Sequence, residues 1–220
     1  MRVDLHSHTH FSRDGLTSPE DYVVRAVDAR LDVAAVTDHN NIEGAIEVAR
    51  IAPFRVIISE EIKSLEGEII GLFLKEPVKK GMTPEDTVRA IKEQGGLVVV
   101  PHPFDRFRKG SALGQEALVR IVEQVDLVEV FNARTVLRSD NSRAARFARN
   151  YGKLRSAGSD SHSPKEIGSV IVDMPEFDGP ESFLVAVRQA KFDVRYASVF
   201  VHLLSTYAKL KWRLGLGVAK

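Results

Sequence analysis

The sequence predicts an α/β fold whose strands close into a distorted barrel, and three observations carry that prediction. Eight short apolar runs punctuate the 220 residues. Amphipathic stretches with recognisable helix starts lie between most of them. No glycine-rich cleft marks a domain boundary. Strands alternating with helices imply βα units and a largely parallel sheet. Seven or eight strands in roughly 200 residues favour a closed or distorted barrel over an open sheet.

The runs, in order, are Val3–Leu5, Val33–Val36, Val56–Ile58, Ile69–Leu74, Leu97–Val100, Leu127–Phe131, Leu154–Ala157 and Ser169–Val172. Ser18-Pro19-Glu20-Asp21 and Thr83-Pro84-Glu85-Asp86 each place a cap residue, a proline at the first helical position and acids in the first turn. Ser163-Pro164 and Gly179-Pro180 predict two further helices. Tyr22, Val23, Ala26 and Val27 recur at helical spacing, as do Val88 and Ile91 with Ala90 beside them. The stretch 199–220 reads as a basic amphipathic helix or tail outside the alternation, leaving 1–198 as the main domain.

Lys and Arg total 31 against 30 acids, so a net charge of +1 makes no general electrostatic case for nucleic-acid binding. The absence of cysteine excludes disulfides, thiolate zinc sites and Cys nucleophiles. MRVDLHSHTH has no apolar signal-peptide core, and no stretch reaches the ~18 apolar residues of a membrane span. A cytoplasmic protein with no membrane partner is expected.

The histidines and acids fall at strand ends. His6 and His8 follow Val3–Leu5, Asp38 and His39 follow Val33–Thr37, and Glu60 and Glu61 follow Val56–Ser59. His102 follows Leu97–Pro101, while Asp160 and His162 follow Leu154–Ser159. In a parallel barrel all such ends open onto one face, where active sites are built. Each motif alone is more often a loop or cap; their joint placement at one rim is hard to explain structurally. Imidazoles and carboxylates gathered without thiolates suit divalent Zn, Mn or Fe. No Gly-x-Ser-x-Gly elbow, P-loop, Rossmann fingerprint or His-Glu-x-x-His competes with that reading.

The ordered set His6-Ser7-His8, Ser12-Arg13-Asp14-Gly15, Thr37-Asp38-His39, Ser59-Glu60-Glu61-Ile62, Pro101-His102-Pro103 and Gly158-Ser159-Asp160-Ser161-His162 resembles the PHP family, the polymerase and histidinol phosphatase domains. The resemblance runs from Met1 to about Val172. It implies a distorted (β/α)7 barrel, here with a C-terminal helix, holding up to three divalent ions, Mn, Zn or Fe. The segment SDSHSPKEIG resembles the stand-alone phosphoesterase branch. Carried over residue by residue, His6, His8, Glu61 and Asp160 match the ligands of one metal. Glu61 bridges to a second shared with His102, and Asp14, His39 and His162 match a third. Asp160, His162 and Glu61 form the implied catalytic set. Glu61 is preferred to Glu60 because it aligns with the acid of the family's Gly-x-Glu and strand neighbours face opposite ways. Relatives carry an imidazole where this chain has Glu68; a carboxylate ligand and a solvated strand-end acid are the two readings of that exchange. His10 matches no ligand, Asp38 reads as orienting a neighbouring ligand, and His202 reads as non-catalytic.

Charge arithmetic points to a phosphate ester. Asp14, Glu61, Glu68 and Asp160 oppose about six positive charges from three ions, leaving the site near +2, roughly. Arg106, Arg108, Lys109, Asn132 and Arg134 are the candidate phosphate contacts, arginine being favoured for bidentate recognition. The expected partner is a small phosphorylated substrate, a nucleotide or an oligonucleotide end. An amidohydrolase-type metalloenzyme and a metal-stabilised scaffold docking a partner through Tyr207–Leu214 are the alternatives. That segment also suits a packing helix or a homo-oligomer contact.

Overall fold

In a computed structural model describing residues 1–108, 110–198 and 200–214, the chain forms one nine-stranded sheet in the order β7-β6-β5-β4-β3-β2-β1-β8-β9. Lys109, the side chains of residues 202–204 and residues 215–220 lie outside the described residues, and with them the readings of Lys109, of His202 and of the end of the basic tail. The strands are β1 (Arg2–Ser7), β2 (Val33–Val36), β3 (Arg55–Lys63), β4 (Glu68–Leu72), β5 (Leu97–Val100), β6 (Leu127–Asn132), β7 (Leu154–Gly158), β8 (Val170–Asp173) and β9 (Lys191–Val194). The helices are α1 (Pro19–Asp28), α2 (Glu43–Ile51), α3 (Pro84–Glu93), α4 (Gly114–Ile121), α5 (Arg138–Asn150), α6 (Pro180–Ala186) and α7 (Val201–Arg213).

Ser18 and Thr83 cap α1 and α3 as their side chains predict, each accepting from the backbone N–H three residues on at 3.1 Å. The strands close into a nearly complete barrel because the chain beyond β7 returns to β1. Asp160 N–H donates to His6 O at 2.7 Å, and His8 N–H donates to Ser161 O at 2.8 Å. Alternate strand residues divide the core. Val3, Leu5, Val33, Ala35, Ile57, Ile70, Leu72, Leu97, Val99 and Leu127 pack inside, closed by Phe177 and Phe183. Ala34 and Val36 turn outward onto Tyr22 and Ala26 of α1, and Val98, Val100 and Val128 onto α3 and α4.

Two expectations need correction. The sheet is not largely parallel: β4 is antiparallel to both β3 and β5, and β8 is antiparallel to β1 and β9. The β3–β4 link is a tight turn with Ser64 N–H on Gly67 O at 2.8 Å, too short for the crossover a parallel pair requires. Second, Ser163-Pro164 opens no helix. The segment closes in turns around Glu166, whose Oε2 accepts from Ser163 Oγ at 2.8 Å and His162 N–H at 3.2 Å, and the chain enters β8 within a few residues. No helix among the described residues is long and apolar enough to cross a membrane.

Candidate metal centre

Strands β1, β2, β3, β5, β6 and β7 run in one direction, so their C-terminal ends share a face. Because β4 runs the opposite way, its first residue, Glu68, lies at that same face. Two irregularities aim the side chains. Val3 and Leu5 point into the barrel, and simple alternation would send Ser7 after them. The pairing with β2 slips between Asp4 and Ser7, so Ser7 turns outward to bond Tyr22 Oη at 2.6 Å while His6 and His8 face inward. A second slip, between Glu129 and Phe131 on β6, precedes Asn132. His102 and Asp160 sit at left-handed φ of 28° and 52°, conformations that cost energy and concentrate at functional sites.

The donor atoms converge. His8 Nε2 lies 3.3 Å from both Glu61 Oε2 and Asp160 Oδ1, and His6 Nε2 lies 3.5 Å from each. His102 Nε2 is 3.1 Å from Glu61 Oε1 and 3.9 Å from Glu68 Oε2. His39 and His162 place Nε2 atoms 3.5 and 3.4 Å from Asp14 Oδ1. Two donors on one ion at bonds of ~2.1 Å stand about 3.0 Å apart at right angles and 3.4 Å at the tetrahedral angle. The observed separations of 3.1–3.5 Å match those edges, and the 3.9 Å from His102 to Glu68 is longer. Among the described residues, four donor groups carry the centre: His6, His8 and Glu61; His6, His102 and Asp160; Glu61, Glu68 and His102; and His8, His39 and His162. Asp14 Oδ1 and Asp160 Oδ1 are buried with no hydrogen-bond donor, an arrangement that calls for a cation. The residues fit divalent ions. All nine residues matched as ligands are brought together, and Glu68 is buried, its Oε1 accepting from Ser111 Oγ at 3.0 Å. Glu60 faces away, its Oε2 accepting from Val78 N–H at 2.7 Å, and burial pushes its carboxyl up to about 7.

The supporting shell fixes the imidazole tautomers. His6 Nδ1 donates to Glu129 Oε1 at 2.9 Å and His162 Nδ1 to the Asp160 carbonyl at 2.8 Å, freeing each Nε2 as a ligand. Asp38 accepts from Ser12 Oγ at 2.6 Å, so Ser12 Oγ accepts from His8 Nδ1 at 3.2 Å and His39 N–H at 3.0 Å. Through Ser12, Asp38 thus acts on the His8 imidazole and the His39 backbone without touching either ring. Glu129 was not legible as a site residue; its position inside β6, two residues after Leu127, was the available signal.

Burial alone would raise the Asp160 carboxyl, but Arg108 and His6 hold it well below the ordinary carboxylate range. His8 is driven well below the usual imidazole range by burial and by His162 and His39. Burial opposes protonation of His6, yet Asp160, Glu129 and Glu61 hold its pKa well above that range. These carboxylates require positive charge, which a divalent ion supplies while keeping imidazoles neutral.

Above the donors lies a cleft of about 1010 Å³ lined by Asp14, His39, Glu68 and His162 at its floor. Seven cationic side chains, Arg13, Lys63, Arg106, Arg108, Arg134, Lys209 and Arg213, form its wall. Among the candidate phosphate contacts, Arg108 pairs with Asp160 through Nη1, and Arg106 is held by Asp140 at 2.9 Å. Arg134 is buried and donates to Ser205 Oγ at 2.7 Å. Asn132 is fully buried and brackets the centre, donating to Glu129 at 3.0 Å and Asp160 at 3.1 Å, away from the cleft wall. His10 is half-buried against Phe11, outside the donor groups.

A barrel with this donor set at its strand ends defines a candidate metal-binding β/α barrel. Residues 4–97 match the PHP domain and residues 138–192 the PHP-associated family. An uncharacterized protein of Methanocaldococcus jannaschii is 42% identical over 147 residues, covering 60% of this chain and 82% of the relative. A second uncharacterized protein of that organism is 30% identical over 224 residues, 98% of this chain and 90% of the relative. The chain belongs to the PHP family. Its fold resembles a two-domain protein of Bacteroides vulgatus containing a predicted PHP-like metal-dependent phosphoesterase, with a TM-score of 0.72 at 18% identity over 89% of this chain and 65% of the other.

Proposed function

We propose that the chain is a metal-dependent phosphoesterase that hydrolyses the ester of a small phosphorylated metabolite, a nucleotide or an oligonucleotide end, using up to three Mn, Zn or Fe ions. The convergence of nine imidazole and carboxylate residues beneath a cationic cleft carries this reading. Divalent ions, which these imidazoles and carboxylates would hold, would supply an acidified water and stabilisation of charge on the leaving oxygen. Glu61 and Asp160 each reach both His6 and His8, so they set the spacing on which the centre depends. His162 faces the cleft from the Asp14 side. Arg108 and Lys209 on the wall neutralise an incoming phosphate.

An amidohydrolase-type centre bridges its metals with a carboxylated lysine. Lys63 is the nearest candidate, and its Nζ donates to the Gly110 carbonyl outside the donor groups. A panel of phosphoesters and amides assayed with Mn²⁺ and after chelation tests the proposal. Metal-dependent release of phosphate supports it; amide hydrolysis alone, or turnover indifferent to metal, overturns it.

A further inference from the structure

Helix α7 lies outside both family-matched segments, 4–97 and 138–192. It nevertheless closes one side of the cleft through side chains spaced along a single face. Ser205 accepts from Arg134 at 2.7 Å. Ala208 is buried. Lys209 Nζ lies 3.1 Å from Asp14 Oδ2. The Trp212 indole stands 5.6 Å from the Arg13 guanidinium. Positions 205, 208, 209 and 212 are the i, i+3, i+4 and i+7 spacing of one helical face.

Two of the cleft's wall residues are large exposed aromatics, Trp212 at 51% and Phe107 at 66%. They stand among cationic side chains, above the metal-ligand floor. A cavity of about 1010 Å³ lies at the top of the ~300–1,000 Å³ range of ligand clefts and far exceeds what a phosphate group needs. A cationic groove with exposed aromatic faces is the combination that holds a phosphate and stacks a planar base at once.

We infer that α7 is a specificity element: Lys209 grips the substrate's phosphate, and Trp212, steadied by Arg13, stacks a nucleobase, so the centre prefers phosphoesters that carry one. This rests on the phosphoesterase reading and narrows its substrate class to nucleoside phosphates. Phe107 offers a second aromatic surface in the same cleft.

Trp212 is the chain's only tryptophan, which makes it a built-in reporter. The 220-residue chain with Mn²⁺ is titrated with two uncleavable ligands, adenosine 5′-methylphosphonate and methylphosphonate, following indole emission. The adenosine ligand is expected to quench emission and to bind about tenfold more tightly, the scale of one base–aromatic stack. In parallel, kcat/KM is measured for adenosine monophosphate and for glycerol phosphate. Trp212→Ala is expected to lower the ratio of the two about tenfold, mainly through KM for the nucleotide. Lys209→Met is expected to raise KM for both substrates several-fold. Tyr207→Ala, on the same helix but away from the cleft, tests whether α7 acts only through its fold, and it should leave the ratio unchanged. Phosphoesterase activity with equal affinity for the two phosphonates, no quenching and an unchanged ratio in Trp212→Ala overturns the inference while sparing the phosphoesterase reading. Quenching and selective binding by a protein that hydrolyses no phosphoester uphold the base platform and overturn that reading instead.

Discussion

The Nδ1 atom of His6 donates to Oε1 of Glu129 across 2.9 Å, and Oε2 of the same carboxylate accepts the His102 backbone N–H at 2.8 Å. One buried acid inside β6 therefore sets the ring of one donor and the backbone of another.

Glu129→Gln keeps the shape of this bracket and removes its charge. Outer partners of metal-bound imidazoles matter by about 10- to 100-fold in affinity. Isothermal titration with Mn²⁺ should show a loss on that scale. Unchanged affinity would mean that neighbouring packing alone orients His6.

Gly158→Ala tests how closely β7 must approach β1. A Cβ at this position would stand 2.2 Å from His6 Cβ and 2.6 Å from Glu129 Oε1. Neither neighbour has room to retreat, because both are buried in the centre. Overpacking of this kind costs about 1–3 kcal/mol, and here the strain falls on a donor residue. Thermal unfolding should show the lowered stability, and metal titration should show weakened binding together with it. A variant with normal Tm and normal metal content would contradict the close contact.

Removing metal should also destabilise the protein. Asp14, Glu61, Glu68 and Asp160 are buried together, and a ligand present at a hundred times its Kd contributes about 2.7 kcal/mol of stability. For a chain of this length that corresponds to a fall in Tm of roughly 5–10 °C after chelation, reversed by Mn²⁺. An identical Tm with and without chelator would argue against resident ions.

Asp160→Asn and His8→Ala each strike a residue with contacts across the donor groups, and each should lower phosphoesterase turnover by at least about a hundredfold. Glu47→Ala, on the exposed face of α2, is the matched surface control and should stay within about twofold. Steady-state kinetics at saturating Mn²⁺ reads the comparison. Equal losses at Glu47 would undo the site map.

Eight of the nine strands were readable because apolar alternation is a local signal, β9 was not, and the donor residues stood out through their placement at strand ends together with the family resemblance. Ser18 and Thr83 announce their helices by chemistry that acts within four residues. The turns at Ser163-Pro164 broke the same rule, since Glu166 satisfies the local N–H groups before a helix can propagate. The slips in β1 and β6 were not readable. Each depends on what the partner strand offers, so nothing within MRVDLHSH says that His6 rather than Ser7 faces inward. Glu129 and Lys209 were missed for the same reason: an acid within a strand and a lysine on a terminal helix acquire meaning only when the barrel brings Gly158 against His6 and α7 against Asp14.

Glu68 is the residue on which sequence and geometry meet most directly. Read as the start of a parallel strand it would lie at the far end of the barrel. The antiparallel β3–β4 hairpin, pairing Lys63 with Glu68, returns it to the donor face. There Oε2 stands 3.9 Å from His102 Nε2, within a donor group shared with Glu61, while Ser111 holds Oε1. Replacing an imidazole by a carboxylate subtracts one charge and favours a hard ion such as Mn²⁺. Glu68→Gln should lower the metal content by one weakly held ion and reduce activity. Glu68→His should retain much of both, with Zn²⁺ gaining relative to Mn²⁺. Glu66→Gln is the control, because that carboxylate pairs with Arg120 at the surface. Metal analysis after desalting decides: full metal content and full rate in Glu68→Gln would leave the second ion to Glu61, His102 and water.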